Sequence, residues 1–226
     1  MTDLELARAY LPIIHFDRAE TIPLLAMGYT VFRETRRSES FPKRTVEVPG
    51  SADFVMEYAC YWDYDIQHMY DLEHIWVTVG RDGAPVHAEG SFHGKYLNLY
   101  DPGLHCLPPE GRRVHAFCQP GKHAFLPEGQ LFRLIPHWYE CCNAESGGAV
   151  LVGGPFAGAY APTPEDDERC NRYIREHLAF LPTLDFSGGM PGDLRLMPWA
   201  EMAAWIPGRV AAECARLAAL GKGATS

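Results

Sequence analysis

Four residues able to bind a metal or move a proton fall within seven positions in "DIQHMYDLEHIWVTVG": His68, Asp71, Glu73 and His74. The apolar run Ile75-Trp76-Val77-Thr78-Val79 follows at once, so the cluster opens a segment that must be buried. Read as a strand, Asp71, Glu73, Ile75, Val77 and Val79 share one face, and Leu72, His74, Trp76 and Thr78 the other. At a rise of ~3.3 Å per residue the two carboxylates stand about 7 Å apart. Leaving both ionised in a low dielectric costs several kcal/mol each unless a cation or protons neutralise them. One divalent metal ion meets that need. Oxygen and imidazole donors suit Mg²⁺, Mn²⁺, Ca²⁺, Fe²⁺ or Zn²⁺ and select none of them. His68 precedes the strand by a short loop and can fold over the same point. The bland alternative is a set of solvent-facing polar residues at a strand start.

Short zinc signatures do not fit. H-E-x-x-H needs Glu directly after the first His, and the inverted H-x-x-E-H needs His where Tyr70 stands. Further histidines occur in turn-rich contexts: His93 in "SFHGKY", His115 in "RVHAF" and His123 in "QPGKHAF". His93 precedes a glycine, which permits close approach of a ligand or another backbone. Lys122 and His123, after Pro-Gly, would present a cation and an imidazole at a pocket rim. His87, His105, His137 and His177 are background.

The elements that must position these groups read as follows. "DLELARAYL" suggests a short helix, "GYTVFRE" a strand, "TRRSESFPKR" a polar loop and "FVMEYACYW" a long buried strand. "GRDGAP" is a turn between "DLEHIWVTV" and a returning strand "VHAEGSFHG", making a hairpin. "RVHAFCQPGKHAFLP" holds another strand ending at a Pro-Gly turn, and "GAVLVGGPFAGAYAP" supplies one more. From 163 the pattern turns helical: Thr163 is an N-cap, Pro164 takes the first position and acidic residues fill the first turn. "PWAEMAAWIPGRVAAECARLAALGKG" is a second helical region, expected to break at Pro207 and end by Gly221. The expectation is one α+β, β-rich domain over 1–226. Its antiparallel core spans about 25–160, and a helical C-terminal addition spans about 161–222.

Composition removes several function classes. A formal net charge of -9 argues against a nucleic-acid partner. With 47% hydrophobic residues the chain can bury a core. No apolar run approaches the roughly 20 residues of a membrane span. The acidic start "MTDLELARAY" lacks the basic n-region of a signal peptide. Seven cysteines, an odd number without C-x-x-C, point to idle thiols in a reducing compartment, so a cytoplasmic location is expected.

"HMYDLEH" followed by an apolar strand and then "SFHGKY" resembles the necrosis- and ethylene-inducing-peptide-like proteins, which carry G-H-R-H-D-W-E-H and a later S-x-H-G-G. The first motif His, the Asp and the Glu fall on His68, Asp71 and Glu73 with identical spacing, and the later His on His93. The resemblance implies a β-sandwich in which these residues surround a divalent metal with an upstream Asp, here Asp63 or Asp65. Leu72 and Tyr70 replace the motif's tryptophan and second histidine. The vacuolar protein sorting-associated protein 62 group shows a related D-W-E-H pattern. A resemblance over nearly the whole chain is to uncharacterised cytosolic bacterial proteins that share "FDRAETIP", "GYTVF", "YWDYDIQHMYDLEHIWV" and "QPGKHAF" in similar forms. Toxicity is not implied. The toxin family is secreted, usually disulfide-bonded, and acts at plant membranes.

The expected protein is thus a β-sandwich-like domain holding one divalent metal among His68, Asp71, Glu73 and Asp63 or Asp65. As an enzyme of hydrolase or lyase type, it would use the metal as Lewis acid or water activator on a small molecule. Glu57, His74, His93, Lys122 and His123 are then candidates for proton transfer or anion binding. Two other readings stand beside it: a module that grips a sugar or polar headgroup through the metal without chemistry, and a purely structural metal.

Overall fold

The structure is a computed structural model describing residues 1–104, 106–139 and 147–223, with side chains to 220; His105, Cys141 and Cys142, read above as background and idle thiols, lie outside them. The longest strands lie where the apolar runs are longest. β5 (Ala52–Tyr64) and β6 (His68–Gly80) form a 13-residue antiparallel hairpin at the centre of the large sheet, with Trp62 opposite Asp71 and Cys60 opposite Glu73. β6 starts at His68 itself, without the short loop expected before it. Around the hairpin stand β2 (Ala26–Phe32), β7 (Pro85–Phe92), β8 (Lys95–Tyr100) and β12 (Arg195–Pro198), in the order β12-β2-β5-β6-β7-β8. β11 (Ala149–Val150) adds a two-residue parallel pairing at the start of β6. β12 also pairs in parallel, with β2.

A second sheet, β1 (Ile13–His15), β9 (His115–Cys118) and β10 (Phe125–Leu126), covers the face that bears Asp71 and Glu73. Gly90 on β7 makes that approach possible: a Cβ there would lie 2.6 Å from the Phe125 Cβ. The opposite face is covered by helix α3 (Trp199–Gly223), whose Met202, Ile206, Val210, Cys214 and Leu217 form the buried stripe. At Gly28 a Cβ would meet Met202 and Trp199 at 3.2 Å, so this glycine sets how closely α3 lies on β2. A two-stranded ribbon, β3 (Arg36–Arg37) and β4 (Thr45–Val46), closes the far end over Trp76 and Phe32. The fold is α+β and β-rich, a sandwich-like core with C-terminal helices.

Three further details depart from expectation. α3 runs through Pro207 without a break, because the apolar stripe packs on both sides of it and offsets the one lost backbone bond. It also ends at Gly223 rather than by Gly221. β1 and β12 place strands outside the 25–160 segment. Helices α1 (Asp3–Ala9) and α2 (Pro164–His177) have capping boxes, Thr2 with Glu5 and Thr163 with Asp166. Among the described residues no helix is long and apolar enough to cross a membrane.

Candidate functional site

Two turns meet at the closed end of the central hairpin. In the β5–β6 turn, Asp65 Oδ1 accepts from the backbone of Gln67 at 2.6 Å and of His68 at 2.7 Å, the usual way an aspartate closes a tight turn. Ile66 N donates to the Gly121 carbonyl at 2.8 Å, tying this turn to the one between β9 and β10. There Gln119 O accepts from Lys122 N and His123 N, at 3.2 and 2.8 Å. Gly121 and His123 adopt left-handed backbone, at φ 66° and 59°. Pro-Gly lets the chain reverse, and the reversal aims Lys122 and His123 back at β6.

Side chains then interlock. Lys122 Nζ donates to the Asp65 carboxylate and, at 2.8 Å, to Gln67 Oε1. His123 Nδ1 donates to Asp71 Oδ2 at 2.8 Å, and its ring stacks flat on Trp62, centroids 4.3 Å apart. Glu73 accepts from the Ser91 hydroxyl, whose oxygen in turn accepts from His74 N at 2.6 Å. His93 Nε2 donates to Gln119 Oε1 at 2.8 Å. His68 Nδ1 donates to the Tyr70 carbonyl at 3.0 Å, which leaves Nε2 turned toward Asp65 Oδ2 at 3.4 Å. Fixing one imidazole nitrogen so that the other can bind is how metal-ligating histidines are commonly held.

Burial sets the charges. It pushes the Asp71 carboxyl up to about 7, with nearby Asp65 adding to the rise, and the Glu73 carboxyl up to about 8, with Asp71 adding to it. Asp65 goes the other way: burial opposes its ionisation, but His68 and Lys122 hold it below the usual carboxylate range. His123 is sealed from water, and burial lowers its pKa to about 4 against the pull of Glu20 and Asp65. Its Nε2 is buried with no hydrogen-bond partner.

The structure brings together His68, Asp71, Glu73, Asp65, His93, Lys122 and His123. Three other candidates fall elsewhere. Asp63 sits on the α3 face, accepting from Arg209 Nε at 2.9 Å and from the Tyr61 hydroxyl at 3.1 Å. Of the two upstream aspartates, Asp65 is therefore the one at the cluster: Asp63 is still within β5 and faces α3, whereas Asp65 lies past the strand end, where the turn redirects it. Glu57 lies on that same face, buried, accepting from Ser40 Oγ and Trp76 Nε1 at 2.7 Å each. It anchors the loop between β3 and β4. His74 also points to that face, stacked on Trp76 at 5.4 Å with the edge of Phe41 against it. Burial lowers its pKa to about 3. The Ser40 backbone pulls the other way, but neither ring nitrogen has a formed hydrogen bond.

Sequence reasoning missed Gln119, Ser91, Trp62 and Glu20. The first three hold His93, Glu73 and His123; the half-buried Glu20 carboxylate accepts from Gly121 N at 2.7 Å and acts on His123 from behind. Gln119 was legible as the residue opening "QPGKHAF"; Glu20, some hundred positions away, carried no signal.

The donor chemistry suits a hard divalent cation: Asp65, Asp71 and Glu73 act on one another electrostatically, and Asp71 and Glu73 are driven toward protonation. Among the described residues, no three His, Cys, Asp or Glu side chains stand close enough to hold an ion as placed. Lys122, Ser91 and His123 take carboxylate oxygens that an ion would use.

No protein-family model matches the chain, and no curated protein matches it. Among solved structures, the crystal structure of Necrosis and Ethylene inducing Protein 2 from the causal agent of cocoa's Witches Broom disease is similar. The identity is 14% and the TM-score 0.36, over 62% of this chain and 79% of that one. A likeness this distant says nothing of the site.

Proposed function

We propose that the cluster holds one divalent metal ion and that the protein is a metal-dependent enzyme of hydrolase or lyase type acting on a small molecule. The observation that carries the reading is that three carboxylates lie near enough to act on one another, Asp65 paired with Lys122 and Asp71 and Glu73 held near protonation by burial and by their neighbours. Asp71, Glu73, Asp65 and His68 Nε2 would hold the ion, with the Lys122 ammonium moving off Asp65 to admit it. When bound, such an ion acts as a Lewis acid or lowers the pKa of a bound water. His123 Nδ1 orients Asp71, and the sealed ring, kept neutral by burial, holds that carboxylate in place. His93, fixed by Gln119, lies near enough to Lys122 and Asp65 to feel their charges.

A cytoplasmic setting, among bacterial relatives, belongs to the same proposal. Buried, unpaired Cys60, Cys118, Cys170 and Cys214 support it.

Elemental analysis of the purified protein, beside the variants Asp71→Asn, Glu73→Ala and His123→Ala, tests the site. Near-stoichiometric metal in the native protein, lost in the first two variants and largely kept in the third, is the expected result. Full metal in Glu73→Ala with loss in His123→Ala would mean that the site is built around the histidines. A bound compound that is retained but never consumed would make the protein a binding module instead.

A further inference from the structure

Asp71 and His68 also border a cleft of about 330 Å³, within the size range of small-molecule sites. Its walls are apolar: Phe41 and Pro42 from the β3–β4 loop, Leu151 and Pro155 from the segment after β11, and Leu72 from β6. Three polar side chains on its lining lack partners. Lys43 is exposed and makes no ion pair or hydrogen bond among the described residues. The Tyr70 hydroxyl and both His74 ring nitrogens are unpartnered, although these side chains are only 5% and 1% exposed. A buried polar atom without a partner is rare in a folded protein and marks a place where a ligand can supply one.

The cleft is built rather than accidental. Arg44 lies between the Trp76 and Tyr96 rings, 4.0 Å from each centroid, and pairs with Glu89. With Ser40 on Glu57, and Phe41 N donating to Ser38 Oγ at 2.9 Å, this fixes the wall that carries Phe41 and Lys43. The far rim is kept open by glycine. A Cβ at Gly153 or Gly94 would meet nothing within 4 Å, and one at Gly154 would lie 3.9 Å from the Tyr70 hydroxyl.

We propose that this cleft binds a small anion with a flat apolar body, such as an aryl phosphate, its ring between Phe41 and Leu151 and its charge toward Lys43. The apolar walls select the ring. Lys43, uncommitted on a chain of net charge -9, selects the negative group. Tyr70 and His74 offer hydrogen bonds at the inner end, while the nearby Asp71 carboxylate already accepts a hydrogen bond from His123. The proposal rests on the metal reading for any reaction, though not for binding.

Titration with phenyl phosphate, with Mn²⁺ and again after chelation, tests it. Lys43→Ala should weaken binding about tenfold, the worth of one charge-assisted hydrogen bond. Gly153→Phe should abolish it: the backbone there is extended at φ -110° and tolerates a side chain, which would fill the cleft. Both variants should keep native melting temperature and metal content. Inorganic phosphate binding as tightly as phenyl phosphate, or Gly153→Phe binding it normally, overturns the proposal. Binding that survives chelation yet is lost in Gly153→Phe supports the cleft even if elemental analysis finds no metal, so the two readings fail separately.

Discussion

His74 stands next to Glu73 in sequence and on the opposite side of the sheet, where it is a neutral imidazole pressed between Trp76 and Phe41. Its folded pKa of about 3 lies below the ordinary value near 6.5, so the stability it brings is present above pH 6.5 and is lost as pH falls toward 3. His74→Phe keeps the stack, removes two unpartnered buried nitrogens and removes the acid loss. It should raise the melting temperature by about 2–4 °C at pH 8, from roughly 1 kcal/mol gained, and by more at pH 5. Thermal melts at the two pH values check this. A gain no larger at pH 5 would show that the ring is already charged in the folded state. Glu73, one residue earlier, faces the cluster, and that one-residue step separates the two roles.

At the level of elements, the central hairpin is held from both faces. α3 grips the face away from the site through Asp63, Arg209 and Glu213, with Arg209 bridging the two carboxylates. Asp63→Asn weakens that tie and leaves Arg209, about a third exposed, able to turn to solvent. The expected cost is about 1–2 kcal/mol, less than for a fully buried pair because water screens the partner. Metal content should not change. Asp65→Asn should do the reverse, lowering metal content with little change in the α3 contact. If Asp63→Asn empties the protein of metal while its melting curve holds, the upstream ligand has been misplaced. The β9–β10 turn grips the other face, since the Pro-Gly reversal alone brings Lys122 and His123 to β6.

For the whole molecule, the burial of Asp71 and Glu73 couples stability to both pH and cation. Each carboxyl titrates above its unfolded value, so the stability associated with its protonated form is complete below about pH 4 and is lost as pH rises through about 7 and 8. His123 contributes the opposite trend only below pH 6.5. Between pH 6.5 and 8.5, chelated protein should therefore lose stability by up to about 1.4 kcal/mol per pH unit for each group. Glu73→Gln should flatten the slope. A divalent ion that binds the folded state should restore the melting temperature by more at pH 8.5 than at pH 6.5. Denaturant titrations of chelated and metal-loaded protein across this window measure both effects, and identical curves for the two forms would sink the metal reading.

What the chain determined locally is what depends on near neighbours. The alternation from Asp71 to Val79, the Thr163–Pro164 helix start and the hairpin turn at "GRDGAP" all appear where their residue types require. The pairing of the two carboxylates on one face follows from period two alone. Partners distant in sequence were decided by packing. Whether Asp63 or Asp65 reaches the cluster depends on which sheet face α3 covers. That Glu57 anchors a loop depends on Ser40 and Trp76 arriving across strands. Pro207 would end a helix in isolation, but a stripe of buried side chains on both sides keeps α3 continuous through it. Glu20 reaches the back of His123 only because β1 and β9 pair in parallel, joining segments a hundred residues apart. Local geometry is set by each residue's own backbone and immediate neighbours. The cluster is set by which surfaces the folded chain can bury together, and no short stretch of sequence contains that.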